Sequence, residues 1–157
     1  IKGFVELTKD VRADVVAGTA TAGIPHAALL SDQLDLPMIY VRSSAKGHGK
    51  KNQIEGKLTE GDRVILVEDL ISTGGSVLQA AEALQKAGAI IEVIVAIFTY
   101  EFPRADEAFQ KANIPVKVLT SYSTLLEVAK EKGMITSEEE RRLALWRQDP
   151  TSDAWMK

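Results

Sequence analysis

The sequence predicts an α/β fold in which a mostly parallel, five-stranded sheet is flanked by helices. Three observations support this fold. Short apolar runs alternate with amphipathic segments along the chain, residues 90–98 form a long run rich in Ile and Val, and most of the apolar runs are joined through a segment with helical periodicity. Strands joined in this way lie parallel, with right-handed crossovers.

The predicted elements follow one another in a regular order. The clearest helix covers residues 76–86, because apolar residues from Val77 to Leu84 recur at helical spacing and Gly88 follows as a stop signal. The complete set of predicted strands is 14–17, 38–41, 63–67, 90–98 and 116–119, and the predicted helices between them are 24–34, 76–86 and 105–112.

The last part of the chain is predicted to be helical and structural. Residues 125–132 have apolar helical spacing that Gly133 ends, and Ser137-Glu-Glu-Glu140 has the pattern of a capping box that begins a further helix carrying Trp146. Trp155, near the end of the sequence, is predicted to be a packing residue rather than a ligand platform.

Composition indicates one enzyme-sized globular domain over residues 1–157. With 157 residues, of which 45% are hydrophobic, the chain can bury one sizeable core. A net charge of −3 argues against a general binder of nucleic acid or membrane surfaces. The sequence has no Cys and no apolar run long enough to cross a bilayer, which fits a cytoplasmic protein.

The most informative segment runs from Val64 to Ser76 and reads VILVEDLISTGGS. Two carboxylates, Glu68 and Asp69, come directly after a buried strand. Carboxylates at the end of a strand can accept hydrogen bonds from ribose hydroxyls. The small residues after them can direct backbone N–H groups, together with the start of the next helix, at a phosphate. A strand-to-helix turn capped by hydroxyls is the alternative explanation. The expected phosphate-binding residues are Ser72, Thr73, Gly74, Gly75 and Ser76.

A second glycine-bounded loop, Gly18-Thr-Ala-Thr-Ala-Gly23, follows the first predicted strand. Its small side chains would let the backbone approach a phosphate, and the following helix offers free N–H groups. An ordinary strand-to-helix turn has the same composition. His26, just beyond this loop, is interpreted as a helix-surface residue.

A long segment without helical periodicity separates the predicted strands ending at Val41 and beginning at Arg63. It spans about twenty residues, which is long for a compact α/β domain and is typical of a functional lid. Its charge is one-sided, because several cations precede any acid; these are Arg42, Lys46, Lys50 and Lys51, with His48 among them. A flexible cationic lid suits a polyphosphate, whereas the alternative is a solvated surface loop.

Together these segments resemble the type I phosphoribosyltransferases, and specifically the orotate phosphoribosyltransferases of Gram-positive bacteria. Val64–Ser76 is similar to the family's motif for phosphoribosyl pyrophosphate (PRPP). The resemblance covers most of the chain in the family's order, and its other stretches are VAGTATAGIPH at 16–26, YVRSSAKGHG at 40–49, NQIEG at 52–56 and AIFTYE at 96–101.

The resemblance implies PRPP and orotate as substrates, Mg²⁺ as cofactor and orotidine 5'-monophosphate as product. It implies a homodimer in which the lid reaches the neighbouring subunit's site. Lys46, His48 and Asp69 are the implied catalytic residues. The implied PRPP contacts are Arg42, Lys46, His48, Glu68, Asp69 and residues 72–76, and the implied pyrophosphate loop is Thr19, Ala20, Thr21, Ala22 and Gly23, with a cis peptide expected at Ala20-Thr21.

The sequence departs from the enteric orotate enzymes at three positions. Ser43 and Ala22 stand where lysines are common, which weakens the expected charge on pyrophosphate. Tyr100 stands roughly where an arginine grips the orotate carboxylate, so Tyr100 and Arg104 are the candidates for contacting the base. By the same resemblance, family members carry about fifty further N-terminal residues that include a hood over the base, so the chain is expected to be a truncated or processed form.

Two other functions fit the same PRPP-binding residues. One is a phosphoribosyltransferase that acts on a purine. The other is a PRPP-sensing transcription regulator without catalytic activity, although the net acidity and the absence of a basic helix argue against it.

Overall fold

The structure, a computed structural model, describes residues 1–43 and 53–156. Its centre is a sheet of six strands flanked by helices. In chain order the elements are α1 (Lys2–Thr8), β1 (Val15–Thr19), α2 (Gly23–Leu34), β2 (Met38–Val41), β3 (Ile54–Glu55), β4 (Arg63–Ile71), α3 (Gly75–Lys86), β5 (Ile90–Thr99), α4 (Pro103–Ala112), β6 (Val116–Ser121), α5 (Tyr122–Glu131), α6 (Ser137–Gln148) and a 3₁₀ turn (Ala154–Met156).

The strand order confirms the predicted mostly parallel α/β sheet. The strands lie side by side as β3-β2-β1-β4-β5-β6. All neighbouring pairs are parallel except β2 and β3, which are antiparallel. The order reverses between β1 and β4, and ligands in open α/β sheets bind beyond the carboxyl ends of the strands at such a point.

The prediction of five strands was wrong by one short strand. The sixth strand, β3, lies in the segment that the sequence assigns to the lid, and it pairs Ile54 with Val41 and Glu55 with Tyr40. Two residues are too few to show a strand periodicity. The strand forms because the edge of β2 provides hydrogen-bonding partners. A local sequence pattern does not reveal such a partner strand.

The core covers both faces of the sheet, as expected for parallel strands. Along β4, Val64 and Leu66 pack on the face that carries Leu84 of α3, and Ile65 and Val67 pack on the face that carries Leu30 of α2. All of these side chains are buried. Each contributes about 2 kcal/mol through removal of apolar surface from water.

Two element boundaries differ from the prediction, and the first of them affects the site. Strand β4 continues to Ile71 rather than ending at Val67, so Glu68 and Asp69 lie within the strand and not after it. The cause is the partner strand, because pairing with β5 continues through Glu68 to Ile71. The capping box of α6 is formed by Thr136 and Glu139 rather than by Ser137, since the Thr136 hydroxyl accepts from the Glu139 backbone N–H.

The short helix α1 was not predicted, because seven residues show too little periodicity. Its Phe4 is 1% exposed and lies edge-on to the ring of His26 on α2, with ring centroids 6.4 Å apart. His26 therefore packs at the surface of its helix. Among residues 1–43 and 53–156, no helix has both the length and the apolarity that crossing a bilayer requires.

Candidate functional site

A cleft of about 350 Å³ lies where the carboxyl ends of β1 and β4 meet the start of α3. It brings together the two loops that the sequence singled out, although they are about fifty residues apart in the chain. The residues that line it are Thr19, Ala20, Thr21, Ala22, Val41, Arg42, Ser43, Gln53, Glu68, Asp69, Leu70, Ser76, Gln79 and Ala80.

Glu68 is the most enclosed charged residue of this cleft, with 6% of its surface exposed. Its Oε1 accepts hydrogen bonds from the Thr19 hydroxyl at 2.6 Å and from the Asp69 backbone N–H at 3.0 Å. Its Oε2 accepts a longer one, 3.4 Å, from the Ser76 hydroxyl. The carboxylate thus joins the first loop, the strand and the start of α3.

The electrostatic state of the acidic pair follows from its burial. Burial raises the pKa of the Glu68 carboxyl, and the hydrogen bond and charge of neighbouring Asp69 raise it further. Hydrogen bonds from the Thr19 hydroxyl and the Asp69 backbone oppose that shift without cancelling it. Asp69 is only partly buried, so it is the carboxylate that faces an incoming ligand most directly.

The first loop is closely packed at both of its glycines. A side chain on Gly23 would begin 2.5 Å from the Thr19 hydroxyl oxygen and 2.6 Å from the Val67 carbonyl oxygen. One on Gly18 would begin 2.9 Å from the Ala27 side chain. The peptide between Ala20 and Thr21 is cis, as expected. Helix α2 begins at Gly23, and its N-cap residue makes no side-chain capping hydrogen bond.

The second loop leads directly into α3. Helix α3 begins at Gly75, and its N-cap residue Gly74, with φ +78°, makes no side-chain capping hydrogen bond. The first turn of a helix presents N–H groups without intrahelical partners, which suits a phosphate. Ser76 lines the cleft, whereas Ser72 and Thr73 form the turn beside it.

Of the predicted lid residues, Arg42 lies in the described part and lines the cleft together with Ser43. Its guanidinium lies 3.5 Å from the Glu55 carboxylate, and its backbone N–H donates to the Gln53 carbonyl oxygen. This pairing places Arg42 at the mouth of the cleft. Lys46 and His48 lie outside the described residues.

The two candidates for base contact are not brought into this cleft. Arg104 is exposed at the start of α4. Tyr100 lies within a cluster of aromatic rings, stacked on Phe102 with centroids 5.3 Å apart and next to Trp146 at 6.0 Å. Phe98 and Tyr122 complete the cluster around Tyr100. Trp155 is half-buried and borders a separate pocket beside α6.

Sequence reasoning missed two polar residues of the cleft. Gln79 lies one turn after Ser76 on α3, so the helical spacing from Ser76 could have indicated it. Gln53 adjoins β3, and only the pairing of β3 with β2 brings it to the site.

A separate and larger cavity, about 720 Å³, lies between α4, the carboxyl ends of β4 and β5, and the first half of β6. Glu101 and Arg147 line it, with 3.5 Å between carboxylate and guanidinium. The same carboxylate accepts hydrogen bonds from the Ser123 backbone N–H at 2.8 Å and hydroxyl at 2.6 Å. Glu101 adopts a φ of +56°, so these contacts hold a conformation that non-glycine residues seldom adopt.

Comparison with known proteins places this geometry in a family. The model of the phosphoribosyl transferase domain matches residues 5–123. The chain is 56% identical over 157 residues to orotate phosphoribosyltransferase of Halalkalibacterium halodurans, with 99% of this chain and 75% of that protein covered.

Two solved structures are also similar. Orotate phosphoribosyltransferase from Aeropyrum pernix has a TM-score of 0.74 at 28% identity, covering 86% of this chain and 75% of that one. Orotate phosphoribosyltransferase from Mycobacterium tuberculosis in complex with PRPP has a TM-score of 0.64 at 28% identity, covering 78% of this chain and 70% of that one.

Proposed function

The chain belongs to the phosphoribosyltransferase family and, within it, to the orotate phosphoribosyltransferases, and we propose that it transfers the 5-phosphoribosyl group of PRPP to orotate. The products are orotidine 5'-monophosphate and pyrophosphate, in pyrimidine biosynthesis. The observation that carries this function is the 56% identity to an orotate phosphoribosyltransferase, over an alignment that covers 99% of this chain and therefore spans both glycine-rich loops and the acidic pair. The shape of the cleft supports it, because the two loops and the pair meet at one edge of the sheet.

The parts of PRPP match the parts of the cleft. Asp69 and Glu68 would hold the ribose hydroxyls, directly or through water, since carboxylates there can only accept hydrogen bonds. Residues 72–76 and the start of α3 would cradle the 5'-phosphate. The backbone of residues 19–23 would approach the pyrophosphate, because the small side chains of that loop leave it accessible.

The reaction needs charge stabilisation more than covalent chemistry. As the C1–O bond of PRPP breaks, positive charge grows on the ribose ring and negative charge on the departing pyrophosphate. Arg42 at the cleft mouth, together with Lys46 and His48 of the lid, would stabilise that negative charge. Closing such a cationic lid also excludes water from the reacting ribose.

Magnesium fits this site as a companion of the substrate. In the described part of the chain, no group of three or more carboxylates or histidines is placed to hold a metal ion. Glu68 and Asp69 would nevertheless lie beside an ion carried by the ribose hydroxyls and pyrophosphate, and oxygen donors are what Mg²⁺ prefers. When bound, the ion would neutralise charge on the pyrophosphate oxygens.

We further propose that the active form is a cytoplasmic homodimer in which the lid of each subunit completes its neighbour's site. The absence of Cys from the sequence is consistent with a reducing compartment. The shared lid rests on the family to which the chain belongs.

Substrate choice is tested by incubating the protein with PRPP, Mg²⁺ and one of several bases, which are orotate, uracil, adenine and hypoxanthine. Pyrophosphate release and nucleotide formation are measured in parallel, with Asp69→Asn as the control for transfer at this site. We expect transfer to orotate alone. Faster transfer to a purine would make the purine enzyme the correct function, and PRPP binding without transfer to any base would favour the regulator.

A further inference from the structure

The side chain of Thr19 connects the two loops of the cleft. Thr19 ends β1 and is 5% exposed. Its hydroxyl lies 2.6 Å from Glu68 Oε1 and 3.3 Å from the Val67 carbonyl oxygen. A hydroxyl has one proton to donate, and the shorter, charge-assisted contact takes it. Thr19 therefore donates to the Glu68 carboxylate.

This hydrogen bond determines how the Glu68 carboxylate is oriented. The other contact to Oε1 comes from the Asp69 backbone, which the strand holds in place, and the contact from Ser76 to Oε2 is long at 3.4 Å. Of the side-chain hydrogen bonds that the structure shows to this carboxylate, the one from the Thr19 hydroxyl is therefore the shortest. Without it, the carboxylate could rotate toward the Ser76 side.

The absence of a side chain at Gly23 leaves space for the Thr19 hydroxyl. Gly23 approaches so closely that a side chain there would begin 2.5 Å from the Thr19 hydroxyl oxygen. The start of α2, the Thr19 hydroxyl and the acidic pair of β4 are consequently packed as one unit. A displacement of the pyrophosphate loop would be transmitted to Glu68 through this contact.

We propose that Thr19 is a positioning residue for PRPP, which orients Glu68 toward the ribose hydroxyls and couples the pyrophosphate loop to the acidic pair. The proposal rests on the proposed function for its substrate. Thr19 acts through Glu68, so its loss should weaken the use of PRPP without changing the affinity for orotate.

The test compares Thr19→Val, which removes the hydroxyl at nearly constant shape, with Thr19→Ser, which keeps it. We expect Thr19→Val to raise the KM for PRPP by about tenfold, the effect of losing one hydrogen bond to a charged group. Thr19→Ser should restore the KM to near the wild-type value. The KM for orotate should stay unchanged in both variants.

A pH profile separates orientation from general destabilisation. The Thr19 hydrogen bond lowers the pKa of Glu68, so its removal should move the acidic limb of kcat/KM for PRPP to higher pH. Asp69 on the same strand and Arg42 across the cleft are the other charged side chains that line the cleft in the described part, and both are retained. A purely structural defect would lower Tm without moving this limb.

The outcomes distinguish this proposal from the proposed function. A wild-type KM and pH profile in Thr19→Val would overturn it, as would a Thr19→Ser variant as impaired as Thr19→Val at equal Tm. If Thr19→Val does not fold, Thr19→Ala replaces it with the same expectations. If the wild-type protein transfers nothing to orotate, the proposed function fails, and PRPP affinity measured by calorimetry on the same variants still decides the role of Thr19.

Discussion

The ring of Phe109 on α4 occupies the space that a side chain on Gly74 would need. A Cβ atom at Gly74 would lie 2.9 Å from Phe109 Cζ, and the backbone there has a φ of +78°. The turn that leads into α3 therefore depends on the absence of a side chain at Gly74 for two separate reasons, steric space and backbone conformation.

Gly74→Ala should consequently destabilise the protein by about 1–3 kcal/mol, because it combines backbone strain with a clash against a buried ring. Thermal unfolding measures this. Gly75→Ala is the matched control, since among residues 1–43 and 53–156 its Cβ would meet only the Thr73 hydroxyl within 4 Å, at 3.8 Å. Equal Tm values for the two variants would contradict the steric role of Phe109.

Asp69→Asn should weaken PRPP binding by about tenfold, because the substitution keeps the shape but removes the charge that strengthens a hydrogen bond to ribose hydroxyls. Circular dichroism should show an unchanged fold, and calorimetry measures the affinity. Asp10→Asn, at an exposed position outside the cleft, is the charge control. A variant that unfolds without a binding defect would indicate that Asp69 is structural.

Glu68→Gln should stabilise the protein at neutral pH while reducing its activity. Burial raises the pKa of this carboxyl in the folded state, so above that raised pKa the folded protein carries the cost of an enclosed charge. The cost disappears as the pH falls through the raised pKa toward the ordinary value of 4.5, where the wild type binds a proton.

The gain in Tm from Glu68→Gln should therefore be largest near pH 7 and vanish at acidic pH. Unfolding scans across this range measure it. A Tm difference that stays constant with pH would show that the enclosed charge of Glu68 is not its source. Glu82→Gln, at an exposed position on α3, should show no comparable trend.

Glu101→Gln should have the opposite pH dependence. Burial raises the pKa of Glu101, but the Ser123 hydrogen bonds and the Arg147 charge outweigh burial, and the net shift is downward. Its stabilisation is present above the ordinary pKa and is lost as the pH falls through the lowered one. We expect a loss of about 1 kcal/mol at pH 7 that shrinks toward pH 3, with exposed Glu107→Gln unaffected. A loss that does not change with pH would be inconsistent with this ion pair.

Lys46→Ala should lower kcat by about 10²-fold and raise the PRPP dissociation constant much less, because lid cations act on the charge that develops on departing pyrophosphate. Single-turnover kinetics and calorimetry separate the two effects. A normal kcat in this variant would show that Lys46 has no catalytic role.

Mixing Lys46→Ala subunits with Asp69→Asn subunits should restore activity in part. If the lid serves the neighbouring site, one of the two composite sites in each heterodimer then carries both wild-type residues. Subunit exchange is verified by native mass spectrometry of differently tagged chains. No recovery after proven exchange would exclude the shared site.

Local sequence patterns predicted the longer helices and the existence of the longer strands, because these elements carry their own periodicity. Val77 to Leu84 form one face of α3, and the apolar run of β5 extends by only one residue beyond its prediction. The ends of the strands were predicted less well. Glu68 and Asp69 belong to β4 because β5 continues beside them, and a partner strand is invisible to a local pattern.

By itself the sequence determined the parallel α/β architecture, the two glycine-rich loops and the acidic pair, because alternating apolar periodicity and glycine-rich turns after strands are local properties. Only the tertiary structure decided which of these groups touch. It placed Thr19 on Glu68, Phe109 against Gly74 and Tyr100 beside Trp146 rather than in the cleft. Such contacts join residues far apart in the chain, and they depend on strand order and packing, which no short segment encodes.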